Sequence, residues 1–329
     1  MMRAVIFRQY GDPKEVMELV DDRKVPRPSA NEVLVKVESS SVNAADRHMV
    51  QANYLIIRLL LGLLRPAEKN RVLGMDVAGT IQAIGDGVEG FEVGDAVAAD
   101  IRKSLGGGFA EYAVVKAADL VRIPAGVSFE QAATVPISGQ AAMMGVILCG
   151  IDSGDRVLIN GASGGVGSFA VQIAKAQGAH VTAACSAAKV DAVKSWGADE
   201  VVDYESASVR DLGANAYDAV LDAACFRSPG DFSETLKEGG RYVLVGGSYY
   251  NMLRVKAFGR WYARGTQQFR GLTQEVEVAA NIQRVFGMIA QGKVEPIIQK
   301  TVPLREVPGA ISSIGQRAVV GKIVVNNQR

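Results

Sequence analysis

The run RVLINGASGGVGSFAVQIAKAQG, residues 156–178, constrains the fold more tightly than any other part of the chain. Arg156–Asn160 is a short β-branched and aliphatic segment, the pattern of a buried parallel strand. Four glycines follow within Gly161–Gly167. Ser168–Gln177 then carries Phe169, Val171, Ile173 and Ala174 among Gln172 and Lys175, a helical spacing, and Gly178 stands at the C′ position. Strand, glycine turn and helix make an anion site. The glycines allow a sharp reversal and close backbone approach, and the helix N-terminus turns its N–H groups toward a phosphate. Aligned on its last glycine, the fingerprint reads Ala162-x-Gly164-x-x-Gly167, with alanine in place of the first glycine. Ala162, Ser163, Gly164, Gly165 and Val166 are the candidate cofactor-facing residues. A tight turn that binds no nucleotide is the competing reading.

A chain of 329 residues predicts two domains with real cores. A net charge of +1 gives no bulk attraction to nucleic acid or an anionic membrane, and neither is expected as a partner. Cys149, Cys185 and Cys225 are far apart and form no C-x-x-C pair or secretory framework. The N-terminus reads as a strand and turns charged at once, so no signal peptide is expected there. A cytoplasmic, reducing compartment is the expectation.

Residues 1–125 read as β-rich. Strands are expected at Ala4–Phe7, Val33–Val37, Val77–Ile84, Ala96–Ala98, Tyr112–Val115 and Leu120–Arg122, the spacing of a barrel-like antiparallel fold. Ser128 is a candidate N-cap for a helix beginning at Phe129. Strands are then expected at 156–160, 180–185, 200–203, 218–222 and 241–246, with helices beginning near 165, 187, 206 and 229. This alternation predicts an α/β fold with a doubly wound parallel sheet over 126–274. A helical stripe runs through Val276, Ala279, Ile282, Val285, Phe286 and Ile289, and 302–325 returns to strand, helix and strand. The segment 275–329 is expected to rejoin and complete the 1–125 domain.

Tyr54–Leu64, YLIIRLLLGLL, is too short to span a bilayer. A core-packed helix is the plainest expectation. An apolar flap over a substrate and a membrane-surface segment are the alternatives.

Several motifs occur in one order: Phe7–Gly11, Ser41–Asp46, Gly74–Gly79, Val93–Val97, Gly107–Tyr112, Asn160–Gly167 and Gly321–Val325. Together they resemble the zinc-independent quinone oxidoreductase (zeta-crystallin-like) branch of the medium-chain dehydrogenase/reductases, over essentially the whole chain. The resemblance implies a GroES-like catalytic domain completed by the C-terminus, a central Rossmann domain, a nicotinamide in the cleft between them, and a homodimer.

Zinc-dependent relatives carry cysteine where this chain has Asn43, and Gly-His-Glu where it has Gly74-Met75-Asp76. Asn43 and Met75 are poor zinc ligands, and His48 and His180 are the only histidines, so no metal is expected. Hydride transfer to a quinone or an enone needs no metal; the developing charge on oxygen needs a hydrogen-bond donor or solvent. The matching motif places Asn43 beside nicotinamide and substrate, where its amide is expected to donate to the acceptor oxygen; a loop-stabilising role is the alternative. Asp46 is expected to orient rather than to act as acid. Tyr54 falls where related reductases place a tyrosine, with aromatic packing as the competing explanation. By the same resemblance Thr134 faces the carboxamide, against a plain turn constraint from Pro136.

NAD sites normally carry an acid at the end of the second strand. That strand ends here at Cys185, followed by Ser186-Ala187-Ala188-Lys189. The hydroxyl of Ser186 and the cation of Lys189 suit a 2′-phosphate, so NADPH is the expected cofactor. The resemblance adds Lys175, Tyr204, Gly246, Gly247 and Arg317 to the cofactor set. Arg254 to Arg270 form a basic segment with Phe258, Trp261, Tyr262 and Phe269, expected as an amphipathic helix at the domain or dimer interface, with nucleic-acid binding as the competing reading. The expected function is a zinc-independent NADPH-dependent reductase of quinones or α,β-unsaturated carbonyls. An alcohol dehydrogenase, or a nucleotide-binding protein with little turnover, is the alternative.

Overall fold

The computed structural model describes residues 1–246, 249–272, 277–316 and 318–328, except for the side chains of Arg210, Tyr249 and Tyr250. The chain divides into two compact units. One comprises Met1–Ile137, Val278–Ala290 and Ile298–Arg329; the other comprises Ser138–Glu277 and Gln291–Ile297.

The first unit opens with β1 (Met2–Phe7) paired antiparallel to β2 (Met17–Arg23). Then come β3 (Glu32–Ser41), β4 (Asp76–Ile84), β5 (Ala96–Asp100), β6 (Tyr112–Lys116) and β7 (Leu120–Arg122). Every strand expected in this region is present. The sequence gives no sign of β2, because MELVDDR keeps only Met17 buried and shows no apolar alternation. Val33, Val35 and Val37 of β3 point to one face and pack with Val77, Ile81, Val97 and Val115, the period-two pattern of a half-buried sheet. Ser128 caps the helix at Phe129: its hydroxyl accepts from Gln131 N at 3.2 Å, and the Gln131 amide oxygen accepts from Ser128 N at 3.0 Å.

The second unit carries β8 (Arg156–Asn160), β9 (His180–Cys185), β10 (Glu200–Asp203), β11 (Tyr217–Asp222), β12 (Leu236–Leu244) and β13 (Gln268–Gly271). Their order is β10-β9-β8-β11-β12-β13, and every pairing is parallel. This is a doubly wound sheet whose order reverses between β8 and β11. The helix after the glycine turn is Gly165–Ala176, and Gly178 takes φ +87°. After β9 the chain makes a 3₁₀ turn, Ala187–Lys189, and a short helix, Val190–Ser195. The helices expected near 206 and 229 are not full helices. They are the single 3₁₀ turns Val209–Leu212 and Pro229–Phe232. Gly213 and Asn215, at φ +90° and +52°, end the first, and the second stops before the chain enters β12 at Leu236.

The tail supplies β14 (Ile298–Pro303), a helix over Val307–Gly315, and β15 (Lys322–Asn326). β15 lies between β14, to which it runs parallel, and β3, to which it runs antiparallel. The first unit's main sheet therefore reads β14-β15-β3-β4-β5-β7, with β6 also on β3. The helix Val278–Ala290 buries Ile282, Val285 and Phe286 as its stripe predicts; Val276 lies outside the described residues.

The apolar stretch departs from its plainest expectation. A helix does form, Leu55–Leu61, but within it only Leu61 is buried. Leu55, Leu59 and Leu64 are 66%, 63% and 86% exposed. Polar contacts hold the segment instead. The Tyr10 hydroxyl donates to Gly62 O at 2.5 Å, Arg58 Nε donates to Ala52 O at 3.0 Å, and the Arg58 guanidinium stacks on the Tyr10 ring.

Candidate active site

In the first unit, β3 ends at Ser41 and Asn43 becomes the N-cap of a helix, Ala44–Gln51. Asp46, three residues on, reaches back. Its carboxylate accepts from Asn43 N at 2.8 Å and from Gly74 N at 3.2 Å. β4 brings in Asp76, fully buried. The Asp76 carboxylate accepts from the Ser41 hydroxyl, from Asn43 Nδ2 at 2.7 Å and from Ile137 N at 2.8 Å. β15 opens with Lys322, whose buried ammonium donates to Asn43 Oδ1 at 2.6 Å and Val42 O at 3.2 Å and stands 3.5 Å from Asp76.

Lysine only donates and a carboxylate only accepts, so the Asn43 amide has a single consistent orientation. Its second N–H goes to Ser41 O at 3.2 Å. The expected donation to an acceptor oxygen therefore finds no free N–H on Asn43. Burial, with the Asp76 charge behind it, pushes Asp46 up to about 7, against the opposing pull of the Asn43 and Gly74 N–H groups and Lys322. Burial pushes Lys322 down, and the two carboxylates resist that.

Thr134 is buried, and its hydroxyl donates to Gln131 O at 2.7 Å, which ties it into the local turn. A π-helical turn, Val135–Gly139, follows it. Tyr54 is the half-buried N-cap of Leu55–Leu61, its ring 6.1 Å from that of His48. Burial and then Arg47 hold the His48 imidazole below its ordinary value.

In the second unit the glycine turn divides its labour. Gly161 takes φ +80°, and a Cβ there would lie 2.8 Å from the Ala224 Cβ. The tight-turn role of the fingerprint's first glycine thus falls on Gly161, one residue before the buried Ala162. A Cβ on Gly167 would lie 2.2 Å from Gly161 O, so this glycine lets the helix pack against the turn. A Cβ on Gly164 would have Gly161 O at 3.6 Å as its nearest neighbour, so the backbone there is open. Gly165 and Val166 begin the helix, and Ser163 is buried beside them in the turn. This cradle fits a pyrophosphate.

Cys185 ends β9, Ser186 stands at the N-terminal boundary of the 3₁₀ turn that holds Lys189, without a side-chain capping bond, and Tyr204 N donates to Cys185 O at 3.1 Å. The fold thus gathers Cys185, Ser186, Lys189 and Tyr204 at the C-terminal ends of β9 and β10. Burial, then Asp203, pushes the Cys185 thiol up to about 11, so it is no nucleophile at neutral pH. Burial holds Lys189 below the usual lysine range. Two neighbours escaped sequence reasoning. Arg227 Nη2 is 3.5 Å from Tyr204 O, and Asp203 accepts from Glu205 N at 3.0 Å. Lys175 does not join this group. At the far end of its helix it donates to both Asp199 oxygens, at 2.9 and 2.8 Å, and to Ala179 O at 3.0 Å.

Gly246 follows β12 and is partly buried; Gly247 and Arg317 lie outside the described residues. Asp222 is a further buried acid that the sequence did not mark. It accepts from Asn160 Nδ2 at 2.8 Å, the Tyr242 hydroxyl at 2.7 Å and Cys225 N at 2.9 Å, and burial pushes it up. Its only signal is a polar residue closing an apolar strand. The basic segment forms a helix, Tyr249–Tyr262, with Trp261 82% exposed.

Among the described residues no three His, Cys, Asp or Glu side chains group to hold a metal. The donors at hand do not suit zinc: Asp46 and Asp76 are engaged by N–H and hydroxyl donors, and Asp76 already faces an ammonium.

Two domain models match the chain, an alcohol dehydrogenase GroES-like domain over residues 29–125 and a zinc-binding dehydrogenase domain over 196–325. The chloroplast envelope quinone oxidoreductase homolog of Arabidopsis thaliana is 32% identical, over 99% of this chain and 98% of that protein. The chloroplastic NADPH-dependent alkenal/one oxidoreductase of the same plant is 29% identical, over 98% of this chain and 79% of that protein. Among solved structures, the quinone oxidoreductase from Coxiella burnetii superposes with a TM-score of 0.87 at 26% identity, covering 99% of both chains.

Proposed function

The chain belongs to the quinone oxidoreductases of the medium-chain dehydrogenase/reductase superfamily, with a GroES-like and a Rossmann domain, and from that premise we propose that it reduces a quinone or an α,β-unsaturated carbonyl with NADPH and without zinc. It is an oxidoreductase of an NAD(P)H-dependent family. The names of the relatives supply the acceptor class. The observation that carries the metal-free reading is the Asn43–Asp76–Lys322 cluster, in which the buried positive charge is an ammonium.

NADPH, when bound, supplies the hydride. The Gly161–Gly167 turn and the helix N-terminus at Gly165 hold its pyrophosphate. Ser186 and Lys189, with Tyr204 and Arg227 beside them, receive the 2′-phosphate. Asn43 and Asp46 fix the β3 exit, and the proton comes from solvent or a neighbouring hydroxyl such as that of Tyr54. Cys149, Cys185 and Cys225 are buried and none is in a disulfide among the described residues, which suits a reducing, cytoplasmic setting, and a homodimer is part of the proposal. Asp203, at the tip of β10, favours a second reading in which a ribose hydroxyl is held and NADH is used.

Titration with NADPH and NADH, a turnover screen over quinones and enones, and metal analysis of the same sample test the proposal together. NADPH preference with turnover on either class and no stoichiometric metal is the expected result. NADH preference favours the Asp203 reading. Stoichiometric zinc, or binding without turnover, overturns the reductase as stated.

A further inference from the structure

Lys322 sits in the tail motif Gly321–Val325, which carries part of the family resemblance and reads as a strand, but to whose lysine the sequence assigns no role. A lysine ammonium is almost never fully buried without partners. Here 3% of its side chain is exposed, and acceptors from two neighbouring segments surround it: Val42 and Asn43 at the exit of β3, and Asp76 at the start of β4. A buried ion pair is a poor source of stability compared with apolar residues of the same volume, so packing alone does not account for it. What an apolar side chain could not do is set the geometry of both segments. Through Asn43 Oδ1 the ammonium holds the amide at the helix N-cap. Through Asp76 it balances the carboxylate that holds Ile137 N, in the π-helical turn that follows Thr134.

We infer that Lys322 is a positioning residue for hydride transfer, acting through Asn43 on one side and Asp76 on the other. The step it serves is the one proposed in the preceding section; the role itself rests on the geometry.

The test compares Lys322→Met with the double variant Lys322→Met/Asp76→Asn. Removing the ammonium alone leaves a buried carboxylate uncompensated, so Lys322→Met melts at a lower temperature. The double variant removes both charges and recovers stability. In that recovered protein the positioning role predicts a kcat still about 10-fold or more below wild type, the scale of a misplaced reacting group, with NADPH Kd and acceptor KM within about 3-fold. It also predicts a larger primary isotope effect from NADPH deuterated at C4, because the chemical step has become slower. Wild-type kcat and isotope effect in the double variant overturn it. A wild type that turns over neither acceptor class means instead that the reductase reading has failed. The role is then read from ¹⁵N-labelled protein. Exchange of the Asn43 side-chain amide protons should be slow in the wild type and fast in the double variant, while β4 backbone protection is kept. Unchanged Asn43 protection overturns the role.

Discussion

The Asn160 amide donates to the Asp222 carboxylate at 2.8 Å, joining the tips of β8 and β11, the two strands between which the sheet order reverses. In open α/β sheets that point is where ligands bind. Asp222 also holds the Tyr242 hydroxyl and the N–H groups of Ala224 and Cys225, so the loop after β11 is fixed to the strand that leads into the glycine turn. Gly161 and Ala224 meet there with no room for a further carbon.

The turn's glycines separate folding from binding. Gly167→Ala drives a Cβ to 2.2 Å from Gly161 O and is expected to cost about 2–3 kcal/mol or more, seen as a lower melting temperature. Gly164→Ala meets nothing closer than 3.6 Å at φ −82°, so stability should change by less than about 1 kcal/mol. NADPH affinity should still fall by about 10-fold, because a methyl group then stands where the pyrophosphate approaches. Equal effects of the two substitutions on stability would contradict this division.

Lys189 and Lys175 make an opposed pair. Lys189→Ala is expected to erase the preference for NADPH over NADH, a loss of about 10–100-fold for a charge-assisted phosphate contact. Lys175→Ala should leave both affinities alone, since its ammonium is held by Asp199. That pair is about one-third exposed, so its loss costs roughly 1 kcal/mol at most. Calorimetric titration of both variants decides between them. A fall in NADPH affinity with Lys175→Ala alone would reverse the assignment.

Asp46 makes stability depend on pH. Its folded value of about 7 lies above the ordinary 3.8, so the folded state binds this proton more tightly than the unfolded chain. Its contribution is fully present below about pH 4 and is lost as pH rises through 7. Urea unfolding of wild type and Asp46→Asn from pH 4 to 8 should show the wild type losing a few kcal/mol relative to the variant across that range. A pH-independent difference would mean that Asp46 is charged throughout.

Asn43→Ala removes one acceptor of Lys322 and one donor to Asp76 together. A cost of about 1–3 kcal/mol is expected from the buried charges left short of partners. Turnover should fall at least 10-fold while NADPH Kd stays within about 2-fold. Steady-state kinetics and cofactor titration on one preparation measure both. Unchanged turnover would remove Asn43 from the reaction.

Local patterns carried the architecture. Runs such as Arg156–Asn160 and His180–Cys185 are legible because short β-branched segments bounded by glycine have few other uses, and Ser128 with Gln131 is a cap written within four residues. The site was less legible, because its decisive contact joins residues 279 positions apart, Asn43 and Lys322. Nothing near Asn43 in sequence shows that its amide is fully engaged. Tyr54–Leu64 failed for another reason: a leucine run reads alike whether tertiary structure covers it or leaves it in solvent. Arg227 entered only because the loop after β11 folds back on Tyr204.

The place of β15 between β14 and β3 also sets an order of events during synthesis. Residues 138–277 are continuous, so the parallel sheet can close while the chain is still emerging. The β3 edge that receives Val324 at Ser41 must wait until residues 42–324 have been translated. During that interval Ser39–Ser41 is an open strand edge, free to pair with another nascent chain, and a ribosome that stalls before residue 322 leaves the polar cluster without the Lys322 ammonium.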